Sequence, residues 1–138
     1  MHRIVVGFDG SEHARKALER AAELAGEGTS IDVVCAADVS RLMRDPAGGV
    51  APVDPADVEA RAAALEEARR YLEGRNITGT YVEGLGNPAD VIVQQAEDTG
   101  ADLIVVGTRG LNAAKRLVLG SVSTNVVHHA PCDVLVVR

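Results

Sequence analysis

Residues 103–110 read Leu-Ile-Val-Val-Gly-Thr-Arg-Gly, a strand running into a glycine turn. Its aliphatic run, Leu103–Val106, does not alternate with polar residues. A strand covered on both faces reads this way, and such strands belong to parallel sheets. Three further runs share the pattern: Ile4–Phe8 (IVVGF), Ile31–Ala37 (IDVVCAA) and Val134–Val137 (VLVV). A fifth, weaker strand is expected at Ile77–Val82 (ITGTYV), where mixed polarity and the internal Gly79 suit a sheet edge.

Helical patterns fill the intervals. Ala14, Leu18, Ala21 and Ala25 repeat at helical spacing, with Ser11 as cap and Gly26 as stop. Val58, Ala62, Leu65 and Leu72 form a second stripe; there Asp54 reads as cap, Pro55 as first helical residue and Gly74 as stop. Asn87-Pro88 opens a third helix, with Ile92 and Ala96 inward and Gly100 ending it. A fourth starts near Ser121, carries Val122 and Val126 on one face, and ends before Pro131. The order β-α-β-α-β-α-β-α-β builds a parallel sheet with helices on both faces, within one domain spanning 1–138. Residues Asp38–Val53 lack a clear period and read as a long loop, either a lid or a surface excursion.

Composition narrows the function. With 21 alanines and 20 valines but one Phe, two Tyr and no Trp, the core must be built from small aliphatic side chains. A net charge of −6 and the lack of stacking aromatics argue against a dedicated nucleic-acid binder. No apolar run approaches the ~18 residues of a membrane span, and the first residues show no signal-peptide pattern. Cys35 and Cys132 fit neither a CxxC nor a zinc spacing, and Cys35 reads as a buried thiol. The expectation is a cytoplasmic protein without a membrane partner.

In an open parallel sheet, ligands bind beyond the carboxyl ends of the strands, where the strand order reverses. Two strand ends carry unusual residues: Gly7-Phe8-Asp9-Gly10-Ser11 and Gly107-Thr108-Arg109-Gly110. Nine residues after Gly110 comes Gly120-Ser121-Val122-Ser123-Thr124, at a helix start. Free N–H groups and the positive helix end attract anions there, and the hydroxyls add donors. The result is a phosphate cradle facing Asp9. No GxxxxGK[ST] or GxGxxG occurs, so NTPase-loop and dinucleotide readings lose their support. Asp9 is read as a ligand contact in preference to a helix cap. Arg109 stands open between phosphate contact and solvated turn, as do Lys115 and Arg116. His128 and His129 suit the negative end of the last helix, while Glu12 and His13 are expected to be exposed. The Glu66-Glu67 and Arg69-Arg70 cluster reads as a solvated helix face.

The pattern G-x2-G-x9-G-S, here Gly107, Gly110, Gly120 and Ser121, resembles the ATP-binding signature of the universal stress protein family. The start IVVGFDGSE and the end GSVSTNVVHHAPCDVLVV are also similar to that family's termini. The resemblance implies a Rossmann-like (adenine nucleotide alpha hydrolase-like) five-stranded sheet of order 3-2-1-4-5, commonly in a homodimer, with bound ATP. Gly7, Phe8 and Asp9 would then meet the nucleoside, and Ala36 would offer a backbone contact to adenine. Val106 and Gly107 would contact base and ribose. Arg109 and Gly110 would lie by the phosphates, with Gly120, Ser121, Val122 and Ser123 holding them. Mg²⁺ or Mn²⁺ would bridge the phosphates, with no metal site of the protein's own. Some relatives take cyclic AMP, and the motif does not separate it from ATP or AMP.

The expected function is ATP binding with a regulatory, stress-response role. The alternatives are cyclic AMP binding, or slow ATP hydrolysis or autophosphorylation. No catalytic residue is assigned, because no positioned general base is evident. The last strand, Asp133–Val137, is expected at an edge, and there to pair with a second copy.

Overall fold

The computed structural model describes residues 2–37, 55–108 and 120–138. Five strands and four helices alternate: β1 (Arg3–Gly7), α1 (Glu12–Leu24), β2 (Ser30–Ala37), α2 (Pro55–Glu73), β3 (Thr78–Leu85), α3 (Pro88–Thr99), β4 (Leu103–Gly107), α4 (Ser121–His129) and β5 (Asp133–Val137). The strands form one parallel sheet in the order β3-β2-β1-β4-β5. The order reverses between β1 and β4, and the carboxyl ends of those two strands open the crevice expected of such a sheet.

Strand residues point alternately to two cores. Ile4, Val6, Ile31, Val33 and Val105 pack against Ala14, Ala17, Leu18 and Ala21 of α1 and Ala64, Ala68 and Leu72 of α2. On the opposite face Val5, Val34, Ile104 and Val106 meet Ala89, Ile92 and Ala96 of α3 and Val126 of α4. Central strands buried on both sides explain the unbroken apolar runs. Each fully buried valine or isoleucine contributes about 2 kcal/mol relative to an exposed one.

Three expectations need correction. The stripe of α2 is Ala64, Ala68 and Leu72; Val58 and Ala62 are exposed and Leu65 is half-buried. Alanines occur on every face of this helix, so apolar spacing could not single out the inner one. Small side chains there let the helix lie close to the sheet. The end of α2 is as expected, since the helix stops at Glu73 just before Gly74, and Asn76 follows in the left-handed region (φ 57°). In α1 the last helical residue is Leu24, and the C-cap is Ala25, whose N–H bonds to the Ala21 carbonyl, one residue before the expected Gly26. The third strand begins one residue later and ends three residues beyond the expected Val82. It pairs residue for residue with the eight residues of β2, which a polarity pattern alone does not reveal. Asp54 and the Asp38–Val53 segment lie outside the described residues.

At the amino end of the sheet lies a buried carboxylate that sequence reading missed. Asp32 of β2 is fully buried and takes bonds from Arg3 at 2.8 and 3.0 Å and from Gln95 Nε2 at 3.0 Å. Nearby, Asp102 accepts the backbone N–H groups of Arg3 and His2, which hold its carboxyl below the usual range. These contacts tie the chain's start to the sheet at the end away from the crevice. The Glu66–Arg69–Arg70 pairs lie on α2 as expected, but Glu67 instead bridges to Arg15 of α1 at 2.8 Å.

Candidate functional site

A cavity of about 500 Å³ opens at the carboxyl edge of the sheet, between the ends of β1, β2 and β4 and the starts of all four helices. The size suits a nucleotide-sized ligand. Of the expected residues, Gly7, Phe8, Asp9, Ala36, Val106, Gly107, Ser121 and Val122 line it. Gly120 and Ser123, at the entry of α4, are not among the lining residues. Arg109 and Gly110 lie outside the described residues, as do Lys115 and Arg116.

The sequence builds each wall by a local rule. Phe8 is buried, and its N–H continues the sheet by donating to the Val34 carbonyl at 2.9 Å. Gly10 then turns the chain through the left-handed region (φ 83°). Asp9 Oδ1 accepts the Ser11 N–H at 2.9 Å, and Ser11 Oγ accepts the Ala14 N–H at 3.2 Å. Asp9 therefore does serve the turn into α1 with one oxygen while it also lines the cavity. Asn87 Oδ1 caps α3 in the same way through the Ala89 N–H at 2.9 Å.

The start of α4 differs. Gly120 is its N-cap and offers no side chain, so its first-turn N–H groups are left without the cap that α1 and α3 receive. Ser121 is exposed beside the cavity. Ser123 is buried and its hydroxyl donates back to the Gly120 carbonyl at 3.0 Å, so toward a ligand it has only its backbone N–H to offer. Gly107 has a packing reason of its own. A Cβ there would come 2.5 Å from the carbonyl oxygen of His13, so glycine lets α1 press against the end of β4.

Sequence reading missed much of the remaining lining. Asp57, Ala60 and Arg61 come from α2, Asn87, Pro88 and Ile92 from the α3 entry, and Asn125 from α4. Arg61 is held by Glu83 of β3 at 3.1 Å. No motif marks these positions, because only the packing of α2 and α3 brings them to the crevice. His13 was expected to be exposed; it is half-buried and lines the cavity. Its proximity to Gly107, a tertiary contact, turns it inward.

Charge is divided along the cavity. Asp9, Asp57 and Arg61 lie toward β2 and α2, and the α4 start carries no acid in its first turn. Burial pushes the neighbouring Cys35 thiol up to about 11; Asp9 and Glu83 add to this and Arg61 opposes it. Among the described residues no three His, Cys, Asp or Glu side chains gather as a metal site, and no helix is long and apolar enough to cross a membrane.

Known proteins agree with this geometry. The sequence pattern of the universal stress protein family matches residues 1–138. A Thermus aquaticus relative, the universal stress protein in the QAH/OAS sulfhydrylase 3'region, is 40% identical over 141 residues, covering 98% of this chain and 97% of its own. A universal stress protein solved in complex with cAMP superposes with a TM-score of 0.72 at 31% identity, over 99% of this chain and 96% of that one. The Archaeoglobus fulgidus universal stress protein in complex with dAMP superposes with a TM-score of 0.77 at 25% identity, over 100% of this chain and 98% of that one.

Proposed function

The chain belongs to the universal stress protein family, and from that premise we propose that it binds ATP and acts as a cytoplasmic regulatory protein in the stress response. One observation carries the reading: the uncapped first turn of α4 borders a cavity whose other walls include the carboxyl ends of β1, β2 and β4. Phosphates belong at the helix start, where free N–H groups and the helix dipole favour negative charge. The nucleoside belongs at Gly7, Phe8, Asp9, Ala36, Val106 and Gly107. Asp9 keeps one carboxylate oxygen for ribose or base while the other holds the turn. Phe8 lies in an otherwise mainly aliphatic wall, so backbone groups and aliphatic side chains hold the adenine. Arg109 and Gly110 complete the phosphate end in this reading. Mg²⁺ or Mn²⁺ would be held mainly by phosphate oxygens, since the described residues supply no cluster of their own.

A solved relative with cAMP and another with dAMP support an adenine nucleotide as the ligand class. The cAMP complex, at 31% identity, also favours a second reading, in which the cyclic nucleotide is the natural ligand. Calorimetric titration of nucleotide-stripped protein with ATP, AMP and cAMP tests both. ATP is expected to bind most tightly, and tighter binding of cAMP would select the second reading. Gly120→Val is expected to abolish ATP binding with the fold intact. The backbone there is extended (φ −62°, ψ 165°), which valine adopts, while its side chain would enter the phosphate space. Absence of heat for all three ligands would refute nucleotide binding.

We assign a homodimer to the free edge of β5, whose Val134, Leu135 and Val136 are only half-buried. Pairing with a second β5 would satisfy its open backbone groups. Sedimentation should give roughly twice the 14.4 kDa of one chain. A monomer at micromolar concentration would exclude this interface.

A further inference from the structure

We propose that Arg61 donates a hydrogen bond to a ring nitrogen of the ligand's base, an assignment that rests on the nucleotide reading above. Arg61 stands on α2 and lines the cavity. Its side chain is 14% exposed, whereas those of Arg15, Arg20, Arg69 and Arg70, the arginines of the solvated ion pairs, are between 47% and 78% exposed. Its charge is therefore largely withdrawn from water, in the wall of a cavity. Nε carries the bond to Glu83 of β3 at 3.1 Å, and the two Nη groups have no partner among the described residues. Neither Nη is shut in: among the described residues the side-chain atoms both closed off and unpaired are His13 Nδ1 and Tyr81 Oη. A cation anchored by one bond, with its remaining N–H donors unpaired and reachable, is poised for a ligand acceptor.

The sheet register places this group at the base end. Glu83 pairs with Cys35 of β2, whose neighbour Ala36 is the residue given to adenine. Arg61 is also close enough to Cys35 to oppose the upward shift of its thiol. The phosphates are placed at the start of α4, the helix that joins β4 to β5. In the order β3-β2-β1-β4-β5, Glu83 lies three strand spacings from β4, roughly 14 Å. Arginine offers donors only, so on adenine its targets are the ring nitrogens N1, N3 and N7, and the exocyclic amine is excluded. Asp57, one turn earlier on α2, is exposed and suits the helix start as a first-turn acid, so it is not part of the assignment. The contact adds a fixed side-chain donor to the groups that hold the adenine.

Calorimetry would compare wild type and Arg61→Met on ATP and on three ATP analogues in which carbon replaces N1, N3 or N7. The variant is expected to fold, because Glu83 is 47% exposed and stays solvated when its partner is lost. ATP affinity should fall about tenfold in the variant. With one of the analogues the same substitution should cost less than about twofold, since the acceptor that Arg61 serves is already gone. A loss below about twofold on ATP overturns the assignment. So does an equal loss on ATP and on all three analogues, the mark of a charge acting on the phosphates at a distance. Should Arg61→Met not fold, Arg61→Lys decides by the same pattern, since it keeps the charge and loses the planar fork. If cAMP is the tighter ligand, its corresponding analogues carry the series. Failure of the wild-type protein to bind ATP, AMP or cAMP overturns the nucleotide reading instead.

Discussion

Gly107→Ala is expected to cost about 3 kcal/mol of stability, at the upper end of ordinary overpacking penalties. For a chain of this length that is a fall of roughly 10 °C in Tm. The added Cβ would stand 2.5 Å from the His13 carbonyl oxygen, 2.7 Å from its carbonyl carbon and 3.0 Å from its Cβ. Backbone atoms cannot rotate away as a flexible side chain can. Either the first turn of α1 lifts or the end of β4 bends, and both border the cavity. Weaker ATP binding should therefore accompany the lower melting point. Gly26→Ala is the control, because nothing lies within 4 Å of its added Cβ. Thermal melts of the two variants side by side check the argument. If Gly107→Ala melts within about 2 °C of wild type, the close approach of α1 to β4 is not the reason for glycine there.

Arg3→Met should cost about 3 kcal/mol, at the low end for breaking a buried ion pair because the arginine side chain is 36% exposed. The loss comes from the other partner. Asp32 is completely shielded from solvent, and without Arg3 its charge would be left with only the Gln95 amide. The size of the effect is thus the cost of an unpaired buried carboxylate rather than the worth of the pair. Removing the charge as well, in Arg3→Met with Asp32→Asn, should restore at least half of the stability. Denaturant unfolding of the single and double variants forms the necessary cycle. A cost below about 1 kcal/mol for Arg3→Met would mean the pair behaves like an ordinary surface bridge.

Much of the fold was legible because burial on both faces of a sheet leaves a mark on composition. Ile4, Val5 and Val6 read as a central strand since both neighbours of the sheet plane are helices. Ser11 and Asn87 mark helix starts through chemistry confined to a few residues, and the structure shows both capping bonds. The α2 face was not legible, since Ala64 and Ala68 differ from Ala62 and Ala63 only in what they touch. Asp32 carried no signal either. An acid inside an apolar run makes sense only once Arg3 and Gln95, distant in sequence, are seen beside it.

The charge distribution repeats the division. Residues 1–102 hold ten Lys/Arg and nineteen Asp/Glu, whereas residues 103–138 hold four and one. The basic surplus therefore shares a segment with the glycine and serine positions proposed for phosphate. The sequence alone determined the element order, the parallel sheet and the glycine–serine pattern, because hydrophobic period, caps and turns act over a few residues. Tertiary structure alone decided which side chains meet at the crevice. Arg61, Asn125 and His13 reach it through helix packing, and the backbone of His13 lies against Gly107 because α1 packs on the end of β4.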